Sequence, residues 1–335
     1  WDPFERRWQA TPPQANPQTR YQHTASLLGN DSVVLLGGVP MDGSAHGLQT
    51  ALSSNLTWQS RFNRWVTGPS LLEPRVGHTA TPLPDQQLLV VGGSVSADHG
   101  MPVVPMLATT ELVSDKLSRR AATLNLARAN HSASLLKDGR VLVAGGIGSD
   151  GRALVSVEIY DPATGQWQPG PALATARSEH TATVLRDGRV LVLGGTTAPG
   201  SPGNAEMYDP VQRRWQAVSP MSLGRSGHHA FLLSDGRVLA LGGQVQSSRT
   251  PMAVEVYDPG TDRWQLLANL GGGREGMTAT LLPSGQIVLT GGVEPGQTDS
   301  NQAVDVYTIA VQTASREGQP TEVKVSYSPE ECRGG

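Results

Sequence analysis

Residues 138–146 read DGRVLVAGG, residues 187–195 DGRVLVLGG and residues 235–243 DGRVLALGG, so nearly the same nine residues return after 49 and then 48 positions. A fixed period in this range is the signature of a repeat architecture and is read before any local signal. Aligning on the double glycine extends the series to six copies, at Gly37-Gly38, Gly92-Gly93, Gly145-Gly146, Gly194-Gly195, Gly242-Gly243 and Gly291-Gly292. Upstream, an Arg-x-x-His element keeps step: Arg20/His23, Arg75/His78, Arg128/His131, Arg177/His180 and Arg225/His228. The sixth copy has Arg274 but Met277 in the histidine position. Downstream, two aromatics recur seven residues apart, at Trp58/Trp65, Tyr160/Trp167, Tyr208/Trp215 and Tyr257/Trp264.

Within one copy the local signals are β. HTATVL and RVLVLGG are short apolar runs joined by a polar turn whose glycine takes a positive φ. VEIYD and GQWQPG follow across PATG, a second turn cluster. Each copy therefore predicts four antiparallel strands, a to d. Six such sheets set radially make an all-β, six-bladed β-propeller, an arrangement that leaves only short, protected edges.

Arg-x-x-His, a turn, strand–Gly-Gly, Tyr-Asp-Pro and then Trp resembles the kelch repeat, over residues 1 to about 307. The blades read as 20–65, 75–120, 128–167, 177–215, 225–264 and 274–307 plus 1–10. The second copy, TTELVSDKLSRRAATL, has neither the tyrosine nor the tryptophan. The sixth shows Tyr307 without a tryptophan seven residues on, while Trp1 and Trp8 carry that spacing at the other end. Kelch propellers commonly close by pairing their terminal strands, so the resemblance implies Trp8 as strand d of the last blade. Residues 308–335 are left as a tail, in which TEVKVSY alternates like a covering edge strand.

Bulk composition narrows the function classes. The 335 residues are 38% hydrophobic with 39 glycines, and the net charge is −3. That balance offers no general attraction to nucleic acid or to an anionic membrane. No apolar run approaches the roughly 18 residues of a membrane span. The single cysteine, Cys332, excludes an intramolecular disulfide. Lysine occurs only at 116, 137 and 324, and the chain opens at Trp1. A processed bacterial protein, secreted or periplasmic, is the expectation.

Strand parity puts the a–b and c–d turns on one face and the b–c and d–a loops on the other. The second face carries the six arginines and the longest loops, VPMDGSAHGLQTALSSN and SVSADHGMPVVPMLATT. Variable loops on a rigid scaffold are where binding concentrates. The arginines have two readings. In the kelch consensus an arginine here bonds neighbouring carbonyls and fixes blade packing. A ring of guanidinium groups also attracts carboxylates or phosphates, and in some kelch adaptors Arg-Ser pairs, matched here by Arg177-Ser178 and Arg225-Ser226, grip acidic peptides. Arg20, Arg75, Arg128, Arg177, Arg225 and Arg274 are therefore the candidate ligand-binding residues, for a protein partner or an acidic ligand.

The histidines, one per sheet and roughly 10 Å apart, are too far apart for zinc, whose ligands sit at about 2.0–2.1 Å. They are expected to be hydrogen-bonded between blades. Asp42, His46, Asp98 and His99 are a better metal candidate but lack a ligand spacing, so no metal or cofactor is expected. The tryptophans read as core packing. Copper oxidases of the kelch type need a cysteine within the body, which this chain lacks. Sialic-acid mutarotases are similar in blade number, with Glu179 and Glu275 as the acid/base candidates. The sequence reading is a non-catalytic binding module, with a mutarotase-like or other carbohydrate-active enzyme as the alternative.

Overall fold

The computed structural model of the protein describes residues 19–40, 50–96, 105–196, 205–245, 251–272, 276–292, 304–312 and 322–328. Each repeat folds into one four-stranded antiparallel sheet, and the described strands make six of these with strands a to d in chain order. The first is Thr24–Leu27, Ser32–Leu36, Asn55–Gln59 and Arg64–Thr67. The second is Thr79–Pro82, Leu88–Val91, Thr110–Val113 and Ser118–Arg120. The third is Ser132–Leu135, Val141–Ala144, Val157–Asp161 and Gln166–Pro169. The fourth is Thr181–Val184, Val190–Leu193, Ala205–Asp209 and Arg214–Val218. The fifth is His229–Leu232, Val238–Leu241, Pro251–Asp258 and Arg263–Gly272. The sixth is Thr278–Leu281, Gln286–Thr290, Val304–Gln312 and Glu322–Ser328.

The burial of each strand follows its composition. Strand b is Leu88–Val91, Val141–Ala144, Val190–Leu193 or Val238–Leu241 in the second to fifth sheets, and every residue of it is buried. An unbroken aliphatic run is what a strand covered on both faces requires. Strand d is mostly exposed, as in Gln166–Pro169, and reads as a polar edge.

The chain divides into two compact units, Ala10–Glu179 with Asp209–Trp215, and Trp1–Gln9 with His180–Tyr208 and Gln216–Gly335. In the first unit, Val34 and Leu36 of the first sheet pack with Leu88 and Val90 of the second. Leu89 and Val91 of the second pack in turn with Val141 and Val143 of the third. In the other unit, Leu191 and Leu193 share a core with Val238 and Ala240, and Leu239 and Leu241 with Ile287 and Leu289. The opposite faces of one strand b thus serve two successive cores.

The closing strand differs from the sequence expectation. The place beside strand c of the sixth sheet is filled by Glu322–Ser328, with Tyr307 opposite Tyr327 and Ile309 opposite Val325. The tail supplies strand d there, where residues 1–10 and Trp8 were expected; those residues lie outside the described ones. The physical reason is chain economy: consecutive antiparallel strands close a short loop, whereas the N-terminal route joins segments about 300 residues apart.

Candidate binding face

The double glycine is where one sheet meets the next. Gly37 and Gly38 have φ of 62° and 88°. A Cβ on Gly37 would stand 2.4 Å from the Arg75 carbonyl oxygen and 2.7 Å from the His78 ring. The pair is therefore required both by backbone conformation and by the close approach of the following repeat. The second glycine donates its N–H to the carbonyl of the next repeat's arginine: Gly38 to Arg75 at 2.9 Å, Gly93 to Arg128 at 2.8 Å and Gly195 to Arg225 at 2.9 Å.

The arginines lie beneath this corner. Arg75, Arg128 and Arg177 have no exposed surface, Arg225 is buried and Arg20 is half-buried. Arg128 Nη1 donates to the carbonyls of Gly145 (2.8 Å) and Ser156 (2.9 Å), and Nη2 to Ser156 Oγ and Glu158 Oε1, both at 2.9 Å. Arg75 repeats the pattern on Gly92, Thr109 and Glu111, the last at 2.6 Å. Arg225 does so on Gly242, Ala253 and Glu255. Among the described residues Arg20 reaches Gly37 and Ser54, and Leu56 stands where the second to fifth sheets carry the glutamate. Each of these arginines holds its own b–c corner closed from inside. Arg274 lies outside the described residues.

The glutamates were missed in the sequence reading, although the signal is there. In TELV, VEIYD, AEMYD and VEVYD a glutamate stands in the middle of an apolar strand c. Glu111, Glu158, Glu206 and Glu255 are all buried. Besides its arginine, Glu158 accepts from the N–H groups of Asn125 (2.8 Å) and Leu126 (3.2 Å) in the preceding d–a linker. Glu111 takes those of Leu72 and Glu73, and Glu255 that of Ser222. A buried carboxylate is tolerable when paired and hydrogen-bonded in this way. One glutamate thus ties an arginine, a strand and the neighbouring linker together.

The histidines join sheets as expected. His78 Nε2 lies 3.1 Å from Thr24 Oγ1, His131 Nε2 3.0 Å from Thr79 Oγ1, and His228 Nε2 2.9 Å from Thr181 Oγ1. Burial, with the adjacent arginine's charge, pulls His78 and His228 down to about 3, so both are neutral at physiological pH. In the sixth repeat Met277 fills the same corner, its Cε where a Cβ on Gly242 would fall. The described tryptophans are half-buried, and Trp167 and Trp264 pack against the hydrophobic cores, as expected. The Nε1 groups of Trp167, Trp215 and Trp264 donate to Ala122, Pro171 and Ser219, backbone carbonyls in the linker leading into their own sheet.

Between arginine and histidine lies a position that the sequence reading passed over. Gln22, Gly77, Asn130, Glu179, Gly227 and Gly276 all have positive φ, from 52° to 69°. Asn130 N–H donates to Gly77 O at 2.8 Å and Glu179 N–H to Asn130 O at 3.0 Å, so successive repeats are linked at this point. Gln22 and Glu179 are exposed here. Side chains as long as glutamine and glutamate are uncommon in the left-handed region, and such outliers concentrate at functional sites.

Of the remaining candidates, Asp42, His46, Asp98, His99 and Glu275 lie outside the described residues. Among the described residues no group of three or more His, Cys, Asp or Glu converges. Among them, too, no helix is long and apolar enough to cross a membrane.

Repeated four-stranded sheets, tied corner to corner by glycine, arginine and histidine, define an all-β β-propeller. The Kelch-repeats domain of KLHDC2, KLHL20 and DRC7 matches residues 77–292, more than half of the chain, and the protein belongs to the kelch-repeat family. It is 32% identical to alpha-scruin of Limulus polyphemus over 117 residues, and 28% identical to an F-box/kelch-repeat protein of Arabidopsis thaliana over 137 residues. Those stretches cover 34% and 39% of this chain but only 12% and 29% of the relatives. The solved structure of YjhT superposes with a TM-score of 0.67 over 94% of this chain and the whole of the other, at 14% identity. That likeness is one of fold.

Proposed function

We propose that the chain is a non-catalytic binding module built on its repeated four-stranded sheets. It presents the b–c and d–a face, with the long loops of the first two repeats, to a protein partner. One observation carries this reading. The repeated Arg, Glu, His and Gly-Gly groups are consumed in holding the sheets together, while the position between arginine and histidine varies freely on a fixed left-handed backbone. An invariant corner bearing a variable side chain is what a recognition surface needs. On this reading Arg20, Arg75, Arg128, Arg177, Arg225 and, by its place in the repeat, Arg274 act from beneath the face, and an acidic partner would meet the loops before the guanidinium groups. Membership of the kelch-repeat family supports protein binding.

The test uses glycine substitutions. Gln22→Gly, Asn130→Gly and Glu179→Gly keep the backbone that Gly77, Gly227 and Gly276 already adopt and remove only the side chains. Partners captured by the wild type should be lost by this triple variant, and by one shortened within 41–53, with melting temperature unchanged. They should be retained by Val211→Ser, in a c–d turn. Capture that follows Val211 and ignores the other two overturns the reading. Turnover of a sugar acid that vanishes with Glu179→Gln replaces it with the mutarotase-like alternative.

A further inference from the structure

On the opposite face, between the second and third sheets, is a cavity of about 300 Å³. Three departures from the repeat pattern meet in it. The first is Asp85. In the third, fourth and fifth sheets the a–b turn aspartate is neutralised by an arginine two residues on: Asp138–Arg140 at 2.6 Å, Asp187–Arg189 at 2.8 Å and Asp235–Arg237 at 2.6 Å. In the second sheet that arginine is Gln87, which bonds Asp85 from its amide and backbone N–H but brings no charge. The second is Arg119 on strand d. It pairs with Leu112 in register, and the residues in that place in the next three sheets are Gln168, Gln216 and Gln265. Among the described residues it forms no ion pair.

The third is Gly165, in the c–d turn. Its counterpart in the fifth sheet, Asp262, has the same left-handed backbone, φ 54° against 68°, and accepts a 2.7 Å hydrogen bond from Tyr257 OH. Glycine supplies no such acceptor, and a Cβ there would stand 4.0 Å from the Tyr160 hydroxyl. Tyr160 is 2% exposed, lines the cavity, and its hydroxyl has no hydrogen-bond partner among the described residues. Burial pushes its pKa up, with Arg119 opposing, so it stays a donor. The rest of the wall includes Leu83, Leu112 and Pro162.

We infer that this cavity binds a small aliphatic zwitterion of the α-amino-acid class. Its carboxylate meets Arg119 and the Tyr160 hydroxyl, its ammonium meets Asp85, and its side chain lies on the leucines. Both signs of charge line the wall without pairing to each other, so a ligand with a single charge would leave one of them unanswered.

The test is titration of the full chain with L-leucine, 4-methylpentanoate and isoamylamine, followed by calorimetry or ligand-observed NMR. The last two are leucine without its ammonium and without its carboxylate. Leucine should bind more tightly than either by about tenfold or more, the worth of one hydrogen-bonded charge. Gly165→Asp, the residue that the fifth sheet already uses, should fold normally and abolish binding. Tyr160→Phe and Arg119→Gln should each weaken it about tenfold or more. The inference is overturned if none of the three probes binds, if 4-methylpentanoate matches leucine, or if Gly165→Asp leaves binding intact. Binding to the face of the long loops is scored by different variants, so failure here leaves the protein-binding reading standing.

Discussion

Glu158 shows how a charged residue comes to sit in the middle of an apolar strand. With Arg128 it forms a 2.9 Å ion pair from which water is excluded, and two linker amides take its remaining lone pairs. Removing one partner of such a pair leaves an uncompensated buried charge. Glu158→Ala or Arg128→Ala is therefore expected to cost about 3–5 kcal/mol in urea unfolding. The loss should be insensitive to added salt, since a buried pair is screened little. An Arg128→Met, Glu158→Leu double variant should recover most of it, and a double variant as unstable as the singles would show that the hydrogen bonds to carbonyls dominate. The histidines add a pH dependence. The folded pKa of about 3 at His78 and His228 lies below the ordinary 6.5, so between these values the unfolded chain binds more protons. Their contribution is complete above about pH 6.5 and is lost as pH falls toward 3, by about 1.4 kcal/mol per pH unit for each histidine. His78→Met, borrowing Met277 from the sixth repeat, should flatten the acid limb of a stability–pH curve; an unchanged slope would count against the buried neutral imidazole.

At the scale of the element, the corner between strand b and the next repeat is the unit that makes a sheet into a blade. Gly92 tests it cleanly: its φ is 59°, and an added Cβ would stand 2.4 Å from the Arg128 carbonyl oxygen. Positive φ costs a non-glycine residue about 1–2 kcal/mol and overpacking about 1–3. Gly92→Ala should therefore destabilise by about 2–5 kcal/mol, measured by thermal unfolding, whereas Gly139→Ala, with nothing within 4 Å, should cost only the first part. The corners were legible in the sequence because each demands one residue type at one spacing, six times over. The arginines were legible as a series but not as buried groups, since a guanidinium's partners come from residues 17 to 36 positions away. Their glutamates were hidden by a sequence habit of reading charges as surface; one isolated charge in an aliphatic strand, repeated at a fixed place, was the available cue. The cavity between the second and third sheets had no cue of this kind. It arises where Gln87, Arg119 and Gly165 each depart from the neighbouring repeats, and only the pairing of strands brings three separate exceptions together.

For the whole molecule, the question is what the last sheet does with its edge. Strand c there, Val304–Gln312, is nine residues long, and seven of them pair with Glu322–Ser328. Without that cover, the chain would present a long row of unpaired N–H and C=O groups, the template on which sheets add foreign strands. The alternating EVKVSYS segment places a lysine in the outermost strand, one of the devices that discourages further pairing. Truncation after Gln312 is thus expected to act on association more than on the other five sheets, whose strands come from elsewhere in the chain. The truncated protein should self-associate in a concentration-dependent way, seen by light scattering coupled to size-exclusion chromatography. Adding a synthetic peptide of residues 322–328 in trans should reverse this, because it restores the ladder opposite Val306 to Gln312. The same peptide with Val323 and Val325 replaced by proline cannot donate at those positions and should fail. A truncated chain that stays monomeric and melts like the full one would mean that another segment takes the edge. Residues 1–10, with Trp8, are then the first to test by deletion in the truncated background.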